Sequence, residues 1–261
     1  MKGIILAAGQ GTRLKRYTKN LPKGMLDFYG KTIIERQIDL FRSCGINDII
    51  IITGFAADTI PYENVTYYHN PDYVSTNMVE SLMCAKQEFI EDAIVSYSDI
   101  IFNQEMLIQM IESNNDFVVA VDVDWKKYWK ARYGRIDFDT ESLVLDLNDN
   151  ILSIGLENPP LDEIDARYIG LLKFSKNGLN KVIRIYERDY EEYKNKPWKQ
   201  SGKKLLQAYM TDLLQAIIED GSIVKAEKFS NGWIEFDTNE DYEKALQWVE
   251  TGKIFEYVML Y

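Results

Sequence analysis

Residues Ile4-Ile5-Leu6-Ala7-Ala8-Gly9-Gln10-Gly11-Thr12-Arg13-Leu14 read as a buried strand that runs directly into a glycine-rich, basic loop. A second basic element, Leu21-Pro22-Lys23, follows shortly after. Small residues let a backbone approach an anion closely, and successive free N–H groups there form a concave anion nest. Arg13 and Lys23 add full positive charge where peptide dipoles supply only partial charge. The stretch Leu6, Ala7, Ala8, Gly9, Gly11 and Thr12 is therefore the expected nucleotide phosphate cradle. Two better-known loops are excluded. Leu14 stands where the dinucleotide fingerprint needs its third glycine, and no Gly-Lys-Ser/Thr follows as in a Walker A loop. A strand-to-loop turn with incidental glycines is the plain alternative.

Outward from this loop, strand-like and helix-like segments alternate. Ile33–Phe41 has helical spacing, Ile49–Thr53 is a β-branched run, and Val65–His69 reads as a further strand. From Asn77 to Phe89, apolar residues recur every three or four positions, which predicts an amphipathic helix. Strands over Ile94–Tyr97 and Phe117–Val121 flank a helix over Glu105–Ile111. Such alternation implies right-handed crossovers and a mainly parallel sheet covered on both faces. The second half is mixed. A hairpin is expected around Asn148-Asp149-Asn150, a strand over Tyr168–Phe174, and a helix over Leu179–Tyr186. Another helical stripe runs from Leu206 through Tyr209, Met210 and Leu213 to Ile217. Short strands at Ile223–Ala226 and Trp233–Phe236 precede a helix over Asp241–Val249. The lysine-rich stretch Tyr193–Lys204, interrupted by Pro197, Ser201 and Gly202, reads as a mobile loop.

Composition narrows the function. At 261 residues the chain can bury a sizeable core. A net charge of −11 argues against a general nucleic-acid binder, which needs a basic face. Cys44 and Cys84 lie in apolar helical patterns and read as buried small hydrophobes, suggesting neither a disulfide framework nor a zinc site. No signal peptide precedes the first strand and no apolar run approaches membrane-spanning length, so a cytoplasmic protein is expected. His69 is the sole histidine, which leaves acid–base work to carboxylates, lysines or metal-bound groups.

The composite Ala7-Ala8-Gly9-x-Gly11-Thr12-Arg13-Leu14, with the later Pro22-Lys23, resembles the signature of the nucleotidyltransferase family that makes activated sugars, cholines and phosphonates from nucleoside triphosphates. The resemblance implies an α/β fold: one Rossmann-like three-layer domain over residues 1–261, with a mixed, mainly parallel central sheet of the nucleotide-diphospho-sugar transferase type. Residues 1–122 would form the nucleotide-binding half and 123–261 the acceptor-binding half. Nucleotidyl transfer sets an attacking phosphate oxygen in line with the α-phosphorus while pyrophosphate leaves, so catalysis is mostly positioning and charge neutralisation. Arg13 and Lys23 are the candidate catalytic cations, and Mg²⁺ the implied cofactor.

Magnesium takes oxygen ligands from one or two carboxylates and from phosphates. Asp99 follows the strand at Ile94, at the rim where open α/β sheets bind ligands. The family keeps a metal-binding Asp there, usually after Gly, where this chain has Ser98. Trp233-Ile234-Glu235-Phe236-Asp237 resembles the family's late Trp-x-Glu-x-Asp segment. Asp237 is the expected second metal ligand, with Glu235 behind it; a solvated edge strand explains the same alternation.

Thr76-Asn77 followed by Ser81 resembles the branch acting on choline-phosphate, phosphonate or phosphoglutamine with CTP, in which this segment lies against the nucleobase. An ordinary helix N-cap is the alternative there. Ala166-Arg167-Tyr168-Ile169-Gly170-Leu171 and Tyr209-Met210-Thr211-Asp212 carry the same likeness. For the acceptor, Trp125–Arg135 is either a basic aromatic lid, with Arg132 among the bases gripping a phosphate, or plain amphipathic surface. Trp125, Tyr168 and Trp233 are expected to cage a cationic head group by cation–π contacts; Asp162, Glu163 and Asp165 either complement that cation or form a plain solvated loop. The implied partners are CTP and a small phosphorylated acceptor, with a homodimer left open, and neither nucleic acid nor membrane. Two rival readings stand: a sugar-1-phosphate nucleotidyltransferase using UTP, dTTP or CTP, and a silent nucleotide-sensing subunit.

Overall fold

The computed structural model describes residues 1–260. In chain order it contains β1 (Lys2–Ala7), the short pair β2 (Asp27–Phe28) and β3 (Lys31–Thr32), α1 (Ile33–Ser43), β4 (Asp48–Thr53), β5 (Thr66–His69) and α2 (Met78–Met83). Next come β6 (Ala93–Tyr97), β7 (Ile100–Phe102), α3 (Gln104–Glu112), β8 (Phe117–Asp122), α4 (Trp125–Tyr133), and the hairpin β9 (Glu141–Leu145) with β10 (Ile151–Glu157). The chain continues through β11 (Arg167–Phe174), α5 (Lys176–Tyr193), α6 (Met210–Glu219), β12 (Lys225–Phe229), β13 (Trp233–Glu235) and α7 (Asn239–Thr251).

Seven strands form the central sheet in the order β12-β8-β11-β6-β1-β4-β5. All neighbours are parallel except β11, which runs antiparallel to both β6 and β8. Strands from both halves of the chain thus interleave in one mixed, mostly parallel sheet.

The apolar runs of β1 and β4 are buried on both faces because period-two alternation feeds two cores. Ile5, Ala7, Ile49 and Ile51 pack with α1, α3, α4 and α7 on one side. Ile4, Leu6, Ile50 and Ile52 pack with α2, α5 and α6 on the other. Thr32 closes a capping box with Glu35 at the start of α1, and Thr238 does the same with Asp241 for α7. No helix among the described residues is long and apolar enough to cross a membrane.

Several expectations are corrected. The helix expected to reach Phe89 ends at Met83: the Cys84 amide bonds to both the Glu80 and Ser81 carbonyls, and a 3₁₀ turn follows at Lys86–Glu88. Leu206 and Tyr209 lie outside α6, which starts at Met210, and the buried leucine before it is Leu205. The Tyr193–Lys204 stretch is tied down. Trp198 is buried with its indole donating to Asp189 at 2.9 Å, and Ser201 bonds Asp212. Both cysteines are half-buried at helix ends rather than in the core.

Gly170 in β11 has φ +82°, and a Cβ there would fall 2.6 Å from the ring of Tyr97. Gly170→Val combines left-handed strain with a steric clash, so an unfolding free energy lower by about 2–4 kcal/mol is expected. Urea denaturation followed by tryptophan fluorescence measures it.

Candidate active site

The rim of the sheet at the carboxyl ends of β1, β6 and β8 gathers the functional side chains. An antiparallel strand presents its first residues at that same rim, so β11 delivers Arg167 and Tyr168 there; Arg167 pairs in register with Asp122, the last residue of β8. At the end of β1, alternation sends Leu6 and Ala8 toward the cleft and Ala7 into the opposite core. Ala7 therefore does not line this cleft, contrary to expectation, because of the pleat.

Gly11 adopts φ +63°, and a Cβ on it would lie 2.5 Å from the Lys23 side chain. The glycine is required because Lys23 crosses directly over the loop. Gly24 likewise leaves no room for a Cβ against Ile34 and Ser98, which fixes the backbone that aims Lys23.

Lys23 Nζ bridges Asp99 Oδ2 at 2.9 Å and Asp237 Oδ1 at 2.6 Å. Burial alone would lower the lysine's pKa, but the two carboxylates raise it above the ordinary range. Arg13 reaches Asp237 at 3.1 Å and Asp139 at 3.3 Å. Burial opposes ionisation of Asp237, yet Lys23, Arg132 and Arg13 together hold its carboxyl well below the usual carboxylate range.

Arg132 is buried behind this group. Its guanidinium takes Asp241 in a two-pronged pair at 2.8 and 2.7 Å, reaches Asp237 at 3.3 Å, and contacts Glu235. Asp241 also accepts the backbone amides of Asp237 and Thr238. Arg132 thus orients the carboxylates: four of its five N–H donors are spent on them and it lines neither cavity beside the cleft, so it does not grip an acceptor phosphate, contrary to expectation. Burial pushes Glu235 up to about 7 against the pull of Arg132, with Asp237 adding to the rise. Glu235 is committed to Arg132, which leaves Asp99 and Asp237 as the convergent pair.

Among the described residues no cluster of three or more His, Cys, Asp or Glu side chains forms a metal cage by itself. The donor set does fit a hard cation, however. Two oxygen ligands converge on one ammonium, as they would on Mg²⁺ completed by phosphate oxygens.

Two cavities adjoin here. The first is lined by the Gly9–Arg13 loop, Tyr73, Thr76, Asn77, Ser81, Tyr97 and Ser98. Asn77 caps α2 by accepting from the Met78 amide at 2.9 Å, so the capping reading holds alongside its place on the wall. Buried Asn70 donates to both Thr76 and Ser81, at 3.0 and 2.9 Å, locking this wall. Sequence reading missed Asn70, because an asparagine before a Pro-Asp turn carries no signal of a contact eleven residues on.

The second cavity shares Thr12, Arg13, Lys23, Met78, Tyr97 and Asp99 with the first. It extends past Asp139, Glu141, Glu157, Arg167, Tyr168, Tyr209 and Thr211. Of the expected aromatic cage only Tyr168 lies on it. Trp125 is buried in the core, and Trp233 is buried with its indole donating to Asp122 at 3.0 Å. Helix α4 turns its aromatics inward and its lysines to solvent, so it is not a lid. Asp162, Glu163 and Asp165 are exposed and do not line the cleft. Glu141 was not singled out, and Thr211 stood out only within a family-like segment, since only the hairpin and α6 bring them to this wall.

The model of the MobA-like NTP transferase domain matches residues 3–137. A CTP:phosphoglutamine cytidylyltransferase of Campylobacter jejuni subsp. jejuni serotype O:2 is 35% identical over 95% of this chain and 100% of its own. A choline-phosphate cytidylyltransferase of Streptococcus pneumoniae is 25% identical over 94% of this chain and 96% of its own. Among solved structures, the CTP:phosphocholine cytidylyltransferase of Streptococcus pneumoniae shares the fold, with a TM-score of 0.74 at 22% identity over 95% of this chain and 98% of that one. A domain match over more than half of the chain, joined to 35% identity along nearly its whole length, places this chain in the MobA-like NTP transferase family: it is a nucleotidyltransferase.

Proposed function

We propose that this chain is a Mg²⁺-dependent cytidylyltransferase that transfers CMP from CTP to a small phosphorylated or phosphonate acceptor, releasing pyrophosphate. The acceptor is phosphocholine-like, aminoethylphosphonate-like or phosphoglutamine-like. One observation carries the reading: two cavities share a wall made of Thr12, Arg13, Lys23 and Asp99. A group moves between two ligands only where both reach the same charged wall, whereas a binding-only protein needs one cavity.

In this reading the acceptor oxygen forms a bond to the α-phosphorus as the bond from that phosphorus to the α–β bridging oxygen breaks. The loop amides from Gly9 to Thr12 cradle the triphosphate, and Arg13 with Lys23 neutralises it. Asp99 and Asp237 would hold Mg²⁺, which when bound supplies the charge that frees Lys23 for phosphate. Arg132, through Asp241, keeps Asp237 aimed at the cleft. Asn77 and Ser81 stand one helical turn apart on the first cavity, suited to one edge of a base. Choice of CTP is further supported by the CTP-using relatives. The first half of the chain supplies most of the nucleotide cavity, and the second half most of the acceptor cavity.

Asp99→Asn and Asp237→Asn are each expected to lower kcat by about 10²–10³-fold at saturating Mg²⁺. Pyrophosphate release, with circular dichroism to confirm folding, checks this, and near-normal turnover removes the metal assignment. Ser81→Ala is expected to raise the KM for CTP and to cut the preference for CTP over UTP by about tenfold. A pyrophosphate-release screen of four nucleotides against phosphorylated amines, amino acids and sugars tests the whole proposal. Turnover confined to sugar phosphates overturns it, as does CTP binding with no release for any acceptor.

A further inference from the structure

We propose that Arg167 and Glu141 select the acceptor, the guanidinium receiving a carboxylate of that molecule and the Glu141 carboxylate its ammonium. The acceptor is then an amino-acid-like zwitterion that also carries the reacting phosphate or phosphonate. This rests on the transferase reading above, which assigns the second cavity to the acceptor.

Arg167 lines that cavity, yet among the described residues its guanidinium makes no hydrogen bond or ion pair, and Nη1 is buried without a partner. Its plane is held 4.4 Å from the centroid of the Trp129 ring. Arg13 and Arg132, the other guanidinium groups beside the cleft, each engage two or more carboxylates. A planar five-donor group fixed on an aromatic plate with no acceptor is costly unless a ligand supplies one, and its fork matches a carboxylate.

Glu141 is the complementary case. It accepts from Thr211 Oγ1 at 2.7 Å and forms no ion pair among the described residues. Burial pushes its carboxyl up while Arg167 pulls it down, so the two charges feel each other without touching. An unpaired cation and an unpaired anion on one wall fit a zwitterion. A quaternary ammonium without a carboxylate would instead want an aromatic cage, and two of the three candidate cage residues are buried in the core. The acceptor's attacking phosphate belongs beside Lys23 and Asp99, which leaves Arg167 for a second anionic group.

Isothermal titration with O-phospho-L-serine, O-phosphoethanolamine and 2-phosphoglycolate tests the pair without needing turnover. The protein is expected to bind O-phospho-L-serine about 100-fold more tightly than O-phosphoethanolamine, which lacks the carboxylate. In Arg167→Gln that ratio collapses toward one, and Arg167→Lys restores part of it. In Glu141→Gln the preference for O-phospho-L-serine over 2-phosphoglycolate collapses in the same way. CTP titration confirms that each variant is folded. Equal weakening of all three ligands in Arg167→Gln overturns the assignment, because it places the guanidinium on the shared phosphate. A protein that prefers O-phosphoethanolamine, or binds none of the three, overturns it as well. Pyrophosphate release from CTP, measured alongside, separates the two claims. Turnover with unchanged titration ratios removes the subsite alone, and collapsed ratios without CMP transfer remove cytidylyl transfer alone.

Discussion

The cleft depends on one ammonium group. Lys23 Nζ ties Asp99, just past β6, to Asp237, just past β13, and so joins three segments that are far apart in sequence. Two half-buried carboxylates facing one point repel, and a cation between them offsets that repulsion. Behind them Arg132 repeats the device on a larger scale, holding Glu235, Asp237 and Asp241 on one guanidinium. Even so, carboxylates outnumber bases in this cluster, and the surplus is visible in Glu235, pushed up to about 7 while Asp237 is held low. A site poised with too much negative charge is prepared for a further cation.

The sheet's one reversal creates the second cavity. In an all-parallel sheet every strand leaves from the same rim, and only loops after strands can build a site there. Strand β11 enters between β6 and β8 in the opposite sense, so its first two residues stand where its neighbours end. That placement brings Arg167 and Tyr168 to the rim. It also sets Gly170 against Tyr97, whose ring lies on the wall common to both cavities.

Much of the fold was legible in the first half, where short β-branched runs alternate with amphipathic segments and contacts are local or between neighbouring elements. The glycine-rich loop, Lys23, Asp99 and Asp237, which the fold brings to one cleft, were legible as candidates, because a glycine-rich basic loop and an acid at a strand terminus stand out by their own residue types. The wall of the second cavity was not. Trp125 and Trp233 looked like cage residues because a tryptophan's sequence neighbours do not say which face of its element meets the core. Arg132 looked like a free base because its three carboxylate partners lie about a hundred residues away, on β13, on α7 and in the turn between them. Glu141 gave no local signal and Arg167 stood out only as part of a family-like segment, since what marks them is the absence of an ion-pair partner in three dimensions.

The sequence by itself therefore determined the glycine-rich basic loop at the end of β1 and much of the sheet that supports it, since both follow from short-range periodicity and from the steric freedom of Gly11. Only the tertiary structure decided which charges are already paired and which remain available. Pairing depends on distances between distant segments, and a charge means something different once another charge sits beside it. Lys23 changed from a lone cation into the clasp of two carboxylates, Arg132 from a substrate ligand into a support, and Arg167 from one residue of a strand into the unpartnered guanidinium of the cleft.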